Sequence, residues 1–291
     1  MNQLALFQPA HLLLAQLHSC LARMEIPQAI SCLKEYEQCW GDIGLNWEFD
    51  FLRFWTGCGT PADLDQGWSL WQSLQREGFW PKVPLSVRLG VQTSYFQTLL
   101  LGRDDTRSRT PGGRSVGYLY LLAGHLSSAL ETLSKEVEEF GDPLPHLYRG
   151  NVYFLLGDAP AARASYRDSL LAGLQEADFR EIVDDEVREA LREAEDPAWA
   201  IIEACIQRLF PVTRLSSDSM DAFLEANRWF TTSDDRKFPG PIHQFYACLV
   251  LSESRKVVPE DVVLKARLHM RFLSGRLHRR YMDSVETKPK A

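Results

Sequence analysis

Two stretches of the chain align without a gap 33 residues apart, and no other feature restricts its fold as much. "GYLYLLAGHLSSALETL" begins at Gly117 and "GNVYFLLGDAPAARASY" at Gly150. The alignment matches Gly117 with Gly150, Tyr120 with Tyr153, Leu122 with Leu155, Gly124 with Gly157 and Ala129 with Ala162. Leu133 and Tyr166 then take equivalent large positions. Self-similarity at this period marks stacked supersecondary units, each unable to bury its apolar face alone.

Every matched position has a task in a hairpin of two helices. Gly117 and Gly150 allow a neighbouring helix to approach closely, and Tyr120 and Tyr153 fill the space beside that contact. Gly124 and Gly157 stand where the first helix must stop, because glycine takes the left-handed conformation at low cost. Ala129 and Ala162 permit tight packing of the second helix, with Leu133 and Tyr166 one turn later on the same face. Pro160 suits an early helical turn, where its missing N–H is harmless.

These G-x-x-Y and A-x-x-x-large elements resemble the tetratricopeptide repeat over roughly residues 113–173. Gly113 and His146 stand where that family carries its leading Trp, and the terminal Pro is displaced or absent. The resemblance implies an all-α fold, a helical-hairpin solenoid with a less regular C-terminal helical part. It also implies a groove lined by the first helix of each hairpin: Arg114, Tyr118 and Leu122 in one unit, Leu147, Asn151 and Leu155 in the next. Arg114 and Asn151 resemble part of the arrangement by which some members hold a peptide carboxylate, since a guanidinium and an amide both donate to carboxylate oxygens. The apolar groove positions would equally suit a helix of the same chain.

Beyond the two repeats the sequence divides by character into an N-terminal Trp-rich helical region (1–112), the repeats with the helices after them (113–210) and a C-terminal helical region (211–291). "HLLLAQLHSCLARMEIPQAISCLKEY" reads as two helices around Met24–Pro27, with Ala29 and Leu33 repeating the small-then-large pair. Thr60 and Pro61 read as the cap and start of a helix whose apolar face is Leu64, Trp68, Trp71 and Leu74, and another helix is expected over Ser86–Leu101. The polar, breaker-rich stretch Gly102–Gly113 reads as a loop. Helical spacing of Phe179, Ile182, Val183, Val187, Ala190 and Leu191 predicts one helix within Glu176–Asp196. Asp196 and Pro197 open another, through Leu209. Further helices are expected over Met220–Phe230, Ile242–Ser254 and Pro259–Tyr281, the last with a stripe of Val262, Ala266, Met270, Leu273, Leu277 and Tyr281.

Six of the eight tryptophans lie between Trp40 and Trp80, which fits either an aromatic binding surface or a Trp-rich core. Arg103, Arg107, Arg109 and Arg114 would either gather around an anion or stand as solvated charge; Walker spacing is missing. The basic face of the C-terminal helix, with Arg276, Arg279 and Arg280, would meet nucleic acid, an anionic membrane or the acidic stretch Glu176–Asp196. A net charge of −7 disfavours a dedicated nucleic-acid binder.

The six cysteines form no C-x-x-C pair and are expected to be reduced and mostly buried. The N-terminal apolar run lacks a basic flank and is interrupted by polar residues, so a soluble cytoplasmic protein without membrane span is expected. No G-x-S-x-G, H-E-x-x-H or paired-cysteine ligand motif occurs, and neither a catalytic residue, a metal nor a cofactor is expected. The functional expectation is a non-catalytic adaptor or scaffold that binds another protein or a peptide segment. A structural subunit of a larger, possibly nucleoprotein, assembly and an unrecognised enzyme stand as alternatives.

Overall fold

The same hydrogen-bonded corner ends helix after helix. At Gly124 the backbone turns left-handed (φ 76°), its N–H donating to the Leu121 carbonyl (3.0 Å) and the His125 N–H to that of Tyr120 (2.9 Å). At Gly157 (φ 83°) the matching bonds run to Phe154 (3.0 Å) and, from Asp158, to Tyr153 (2.9 Å). This pair of bonds satisfies carbonyls that a helix C-terminus otherwise leaves open, and it reverses the chain within a few residues. Met24 (φ 58°) makes the same corner without glycine, its N–H reaching Leu21 (3.0 Å) and that of Glu25 reaching Cys20 (2.9 Å).

The computed structural model describes residues 10–41, 44–101, 107–230 and 239–286. It is all-α: among the described residues no β-strand forms, and an isolated bridge joins Arg109 and Ser115. The chain separates into two compact units, Met1–Glu136 and Val137–Ala291.

In the first unit, α1 (Ala10–Ala22) and α2 (Ile26–Trp40) form the N-terminal hairpin, with Ala29 and Leu33 buried. Then come α3 (Asn46–Gly57), α4 (Leu64–Arg76) and α5 (Leu85–Leu100). Asp63, not Thr60, caps α4, accepting from the Gln66 N–H at 2.7 Å. The extended backbone of Asp63 aims its carboxylate at that donor. Leu64, Trp71 and Leu74 of the expected face are buried and Trp68 is half-buried. Helix α5 packs on α1 with Gly90 against Ala22, and the Ser94 hydroxyl donates to the Ala22 carbonyl at 3.0 Å.

The tryptophans chiefly build this core. Trp71 stacks on Tyr95 at 5.7 Å and meets Trp80 and Phe96 edge-on, while the Tyr95 hydroxyl donates to the Gly67 carbonyl at 2.7 Å. Trp47, Trp55 and Trp68 are partly buried against the same cluster. Helix α6 (Val116–Leu122) turns at Gly124 into α7 (Leu126–Phe140), which crosses the boundary between the units. A Cβ on Gly117 would come within 2.5 Å of Leu133.

In the second unit, α8 (Pro143–Leu155) and α9 (Ala159–Leu171) form the matching hairpin: a Cβ on Gly150 would meet the Tyr166 ring at 2.5 Å. The small-then-large pairs Ala129 with Leu133 and Ala162 with Tyr166 are buried as expected. Tyr120 and Tyr153 are only half-buried, their neighbours Leu119 and Val152 being the deep residues.

The expected helix over Glu176–Asp196 is instead a 3-10 segment, Glu176–Glu181, followed by extended chain and α10 (Asp185–Arg192). Buried Asp184 interrupts it by accepting from the Glu186 and Val187 N–H groups (3.1 and 3.3 Å), which starts a new helix. Asp196 caps a short 3-10 turn at Pro197–Trp199 before α11 (Ala200–Ile206), whose residues are all buried. Further on lie α12 (Ser217–Ala226), a 3-10 turn at Arg228–Phe230 and α13 (Pro241–Glu253).

The expected C-terminal helix is two, α14 (Glu260–Leu273) and α15 (Gly275–Glu286). Extended Ser274 breaks it, and its hydroxyl accepts from the Leu277 N–H at 3.4 Å. Val263 rather than Val262 joins Ala266, Met270, Leu277 and Tyr281 in the core.

All six cysteines are free; Cys20, Cys32, Cys205 and Cys248 are buried, and burial pushes the Cys205 and Cys248 thiols up to about 12. A thiol reagent at neutral pH is therefore expected to modify only Cys39 and Cys58 in the folded chain and all six in denaturant, as counted by mass spectrometry. Gly150→Ala is expected to cost about 1 to 3 kcal/mol in urea unfolding, because the added methyl must displace buried Tyr166.

Candidate partner-binding surface

Two of the first-unit residues of the expected groove, Arg114 and Tyr118, gather around one tryptophan. Asp65 of α4 holds the loop before α6, its carboxylate accepting from the Thr110 hydroxyl (2.7 Å) and the Gly112 N–H (2.9 Å). Farther along the loop, Ser115 caps α6 at the Tyr118 N–H and donates to buried Glu136 at 2.5 Å, while Arg109 Nε donates to the same carboxylate at 2.7 Å. This fixes the loop on both sides. It also accounts for Arg109 as a structural partner rather than an anion ligand; Arg103 lies outside the described residues.

With the loop fixed, the Arg114 guanidinium sits 5.3 Å over the Trp68 ring, and Tyr118 meets the same ring at 5.9 Å. Arg114 Nε is 3.8 Å from Asp65, an ion-pair distance too long for a hydrogen bond. Among the described residues the guanidinium has no hydrogen-bond acceptor. All three side chains are half-exposed, and Leu122 is partly buried against the core beneath. A cation held on an aromatic face with unspent N–H donors can take a carboxylate while the rings take apolar area.

The second-unit residues behave differently. Leu147 is fully buried and Asn151 is 5% exposed, so neither presents itself to a partner. The Asn151 amide donates to the Glu181 carbonyl (2.9 Å), and its oxygen accepts from the Tyr166 hydroxyl (2.9 Å) and the Val183 N–H (3.2 Å). Burial pushes the Tyr166 phenol well above its usual range, which keeps it a donor. The groove position on α8 is thus occupied by the chain's own 181–183 segment. The expectation that Asn151 anchors a peptide carboxylate is corrected accordingly: both faces of its amide are spent on its own unit. Leu155, at the end of α8, is 52% exposed.

Two of the three basic C-terminal residues, Arg276 and Arg280, also find partners in their own unit. Arg276 donates to buried Glu203 at 2.7 Å and pairs with Glu195, and Arg280 lies 3.4 Å from Glu203. Of the three expected occupants of that face, the acidic stretch supplies one through Glu195.

Sequence reasoning assigned no role to His18 and Glu48, which α1 and α3 bring together at 2.9 Å beside the Trp47 ring. Thirty residues separate them with no motif between, so no local signal exposed the pair. Among the described residues no group of three His, Cys, Asp or Glu side chains is placed to hold a metal ion, and no helix is long and apolar enough to cross a membrane.

Asn151→Leu is expected to destabilise the protein by about 2 to 4 kcal/mol, since it orphans the Tyr166 hydroxyl, the Val183 N–H and the Glu181 carbonyl. Arg114→Ala should stay within about 0.5 kcal/mol of wild type in the same urea titration. No protein-family model, curated protein or solved structure matches the chain.

Proposed function

We propose that this protein is a non-catalytic adaptor of the cytoplasm that holds a segment of another protein on the face formed by α4 and α6. The observation that carries this reading is the half-exposed Arg114 guanidinium stacked on Trp68 beside Tyr118. Trp, Tyr and Arg are the residues most enriched where binding energy concentrates. The surface is prepared in advance, because Asp65, Thr110 and Ser115 fix the loop that delivers Arg114. A partner therefore pays little ordering entropy on this side.

The tetratricopeptide resemblance belongs to the same proposal. Its support is that the α6–α7 and α8–α9 hairpins repeat one corner and one glycine-to-large-residue contact. The bound segment carries a carboxylate, a side chain or a C-terminus, for Arg114 and an apolar group for the rings.

The test is affinity capture with the full chain from its native organism, run in parallel with Trp68→Ala and Arg114→Ala. Wild type is expected to retain a stoichiometric protein partner, and each substitution should weaken that binding by about 2 kcal/mol, near thirtyfold. Equal retention by both variants would place the partner elsewhere, and capture of nothing at stoichiometric levels would remove the adaptor reading.

A further inference from the structure

Three basic side chains gather where α14 gives way to α15. Arg267 and Arg271 stand one turn apart on α14 and so share a face. Past the break at Ser274, the first turn of α15 brings His278 beside them. Burial holds the His278 imidazole below its usual range, and the charges of Arg271 and Arg267 lower it further. The Nε of half-buried Arg267 is buried and has no hydrogen-bond partner. Among the described residues none of the three side chains makes a hydrogen bond or an ion pair.

The chain beneath holds this arrangement in place. The Ser274 N–H donates to the Met270 carbonyl (2.9 Å) and the His278 N–H to the Ser274 carbonyl (3.0 Å), which fixes the break. Ala266, Met270 and Leu277, each next in sequence to one of the three basic residues, are fully buried. Nearby bases meet acids instead: Arg276 pairs with Glu195 and Glu203, Arg280 with Glu203, and Lys265 with Asp261 at 3.7 Å. The acids of α14, Glu260 and Asp261, stand in its first turn, and those of α15, Asp283 and Glu286, in its second half. Like charges held together, with a buried N–H left over, are unfavourable until an anion enters among them.

We propose that Arg267, Arg271 and His278 form a binding site for a phosphate monoester, which accepts from both guanidinium groups and from an imidazole N–H. The number of charges selects this class. A carboxylate would neutralise one arginine, whereas a phosphate monoester carries about −1.5 to −2 at neutral pH and has three acceptor oxygens for two guanidinium forks. A phosphodiester backbone brings one charge per phosphate, and the net charge of −7 opposes a polyanion. The site is separate from the Arg114 surface and does not depend on the adaptor reading.

The test is a titration of the full chain with inorganic phosphate and with glycerol 3-phosphate at constant pH and ionic strength, read from the His278 ring resonances by NMR. Both ligands are expected to shift these resonances saturably, with dissociation constants of about 1 mM, while acetate does not. Arg267→Gln and Arg271→Gln should each weaken phosphate binding about tenfold or more, with an unchanged circular dichroism spectrum. Arg271 is exposed, so its replacement tests the site even where that of Arg267 disturbs the fold. Flotation with phosphatidylcholine vesicles carrying phosphatidylinositol 4-phosphate separates the two sources of such a group. Flotation that Arg271→Gln abolishes assigns the site to a lipid headgroup, and soluble binding without flotation assigns it to a small phosphate ester. No saturable shift with either phosphate overturns the proposal, as does an equal response to acetate or binding indifferent to Arg271→Gln.

Discussion

At Gly117 and Gly150 the backbone of one helix lies against a large side chain sixteen residues further on, Leu133 in one case and Tyr166 in the other. Neither contact leaves room for a Cβ. The left-handed corner after each first helix returns the chain at the angle that makes the contact possible, and the buried alanine on the second helix keeps the backbones close. What else the hairpins do depends on this spacing. It places α6 so that Tyr118 reaches Trp68, and it sets Tyr166 where its hydroxyl meets Asn151.

Buried carboxylates join the helices where apolar packing alone would not specify the connection. Glu136 is held by Arg109 and Ser115, Asp184 by Arg163 at 3.2 Å, and Glu203 by Arg276 and Arg280. A lone buried charge is strongly unfavourable, so each pairing admits few alternative arrangements of its segment. The pair at Glu136 fixes the loop that presents Arg114, and structural charge thereby prepares a surface cation for recognition. The pair at Glu203 has the opposite effect on function, because it withdraws two arginines of the C-terminal helix from any outside partner.

The hairpins were legible in the sequence because their determinants are local: a glycine at a corner, a small residue facing a glycine, a proline in a first turn. The helix interruptions at Asp184 and Ser274 were not. Phe179, Ile182, Val187 and Leu191 are all buried although the helix is interrupted at residues 182–184, so their spacing in the sequence is the same as that of an unbroken helix. Likewise Met270, Leu277 and Tyr281 stay in phase across the break, and only a serine cap reveals it. Periodicity reports which side faces the core, not whether the chain is continuously helical.

The candidate surface divides along the same line. From the sequence alone, the helical class, the hairpin corners and the residues on the first helix of each hairpin could be determined, since these follow from side-chain size and backbone freedom over a few residues. Tertiary structure alone decided that Asn151 is spent on a segment thirty residues away, that Arg114 rests on a tryptophan from α4, and that Arg267, Arg271 and His278 stand together at the break after α14. An apolar or amide side chain is equally suited to its own chain and to a partner. Which of the two it meets is set by the segments that fold against it, and those lie far along the chain.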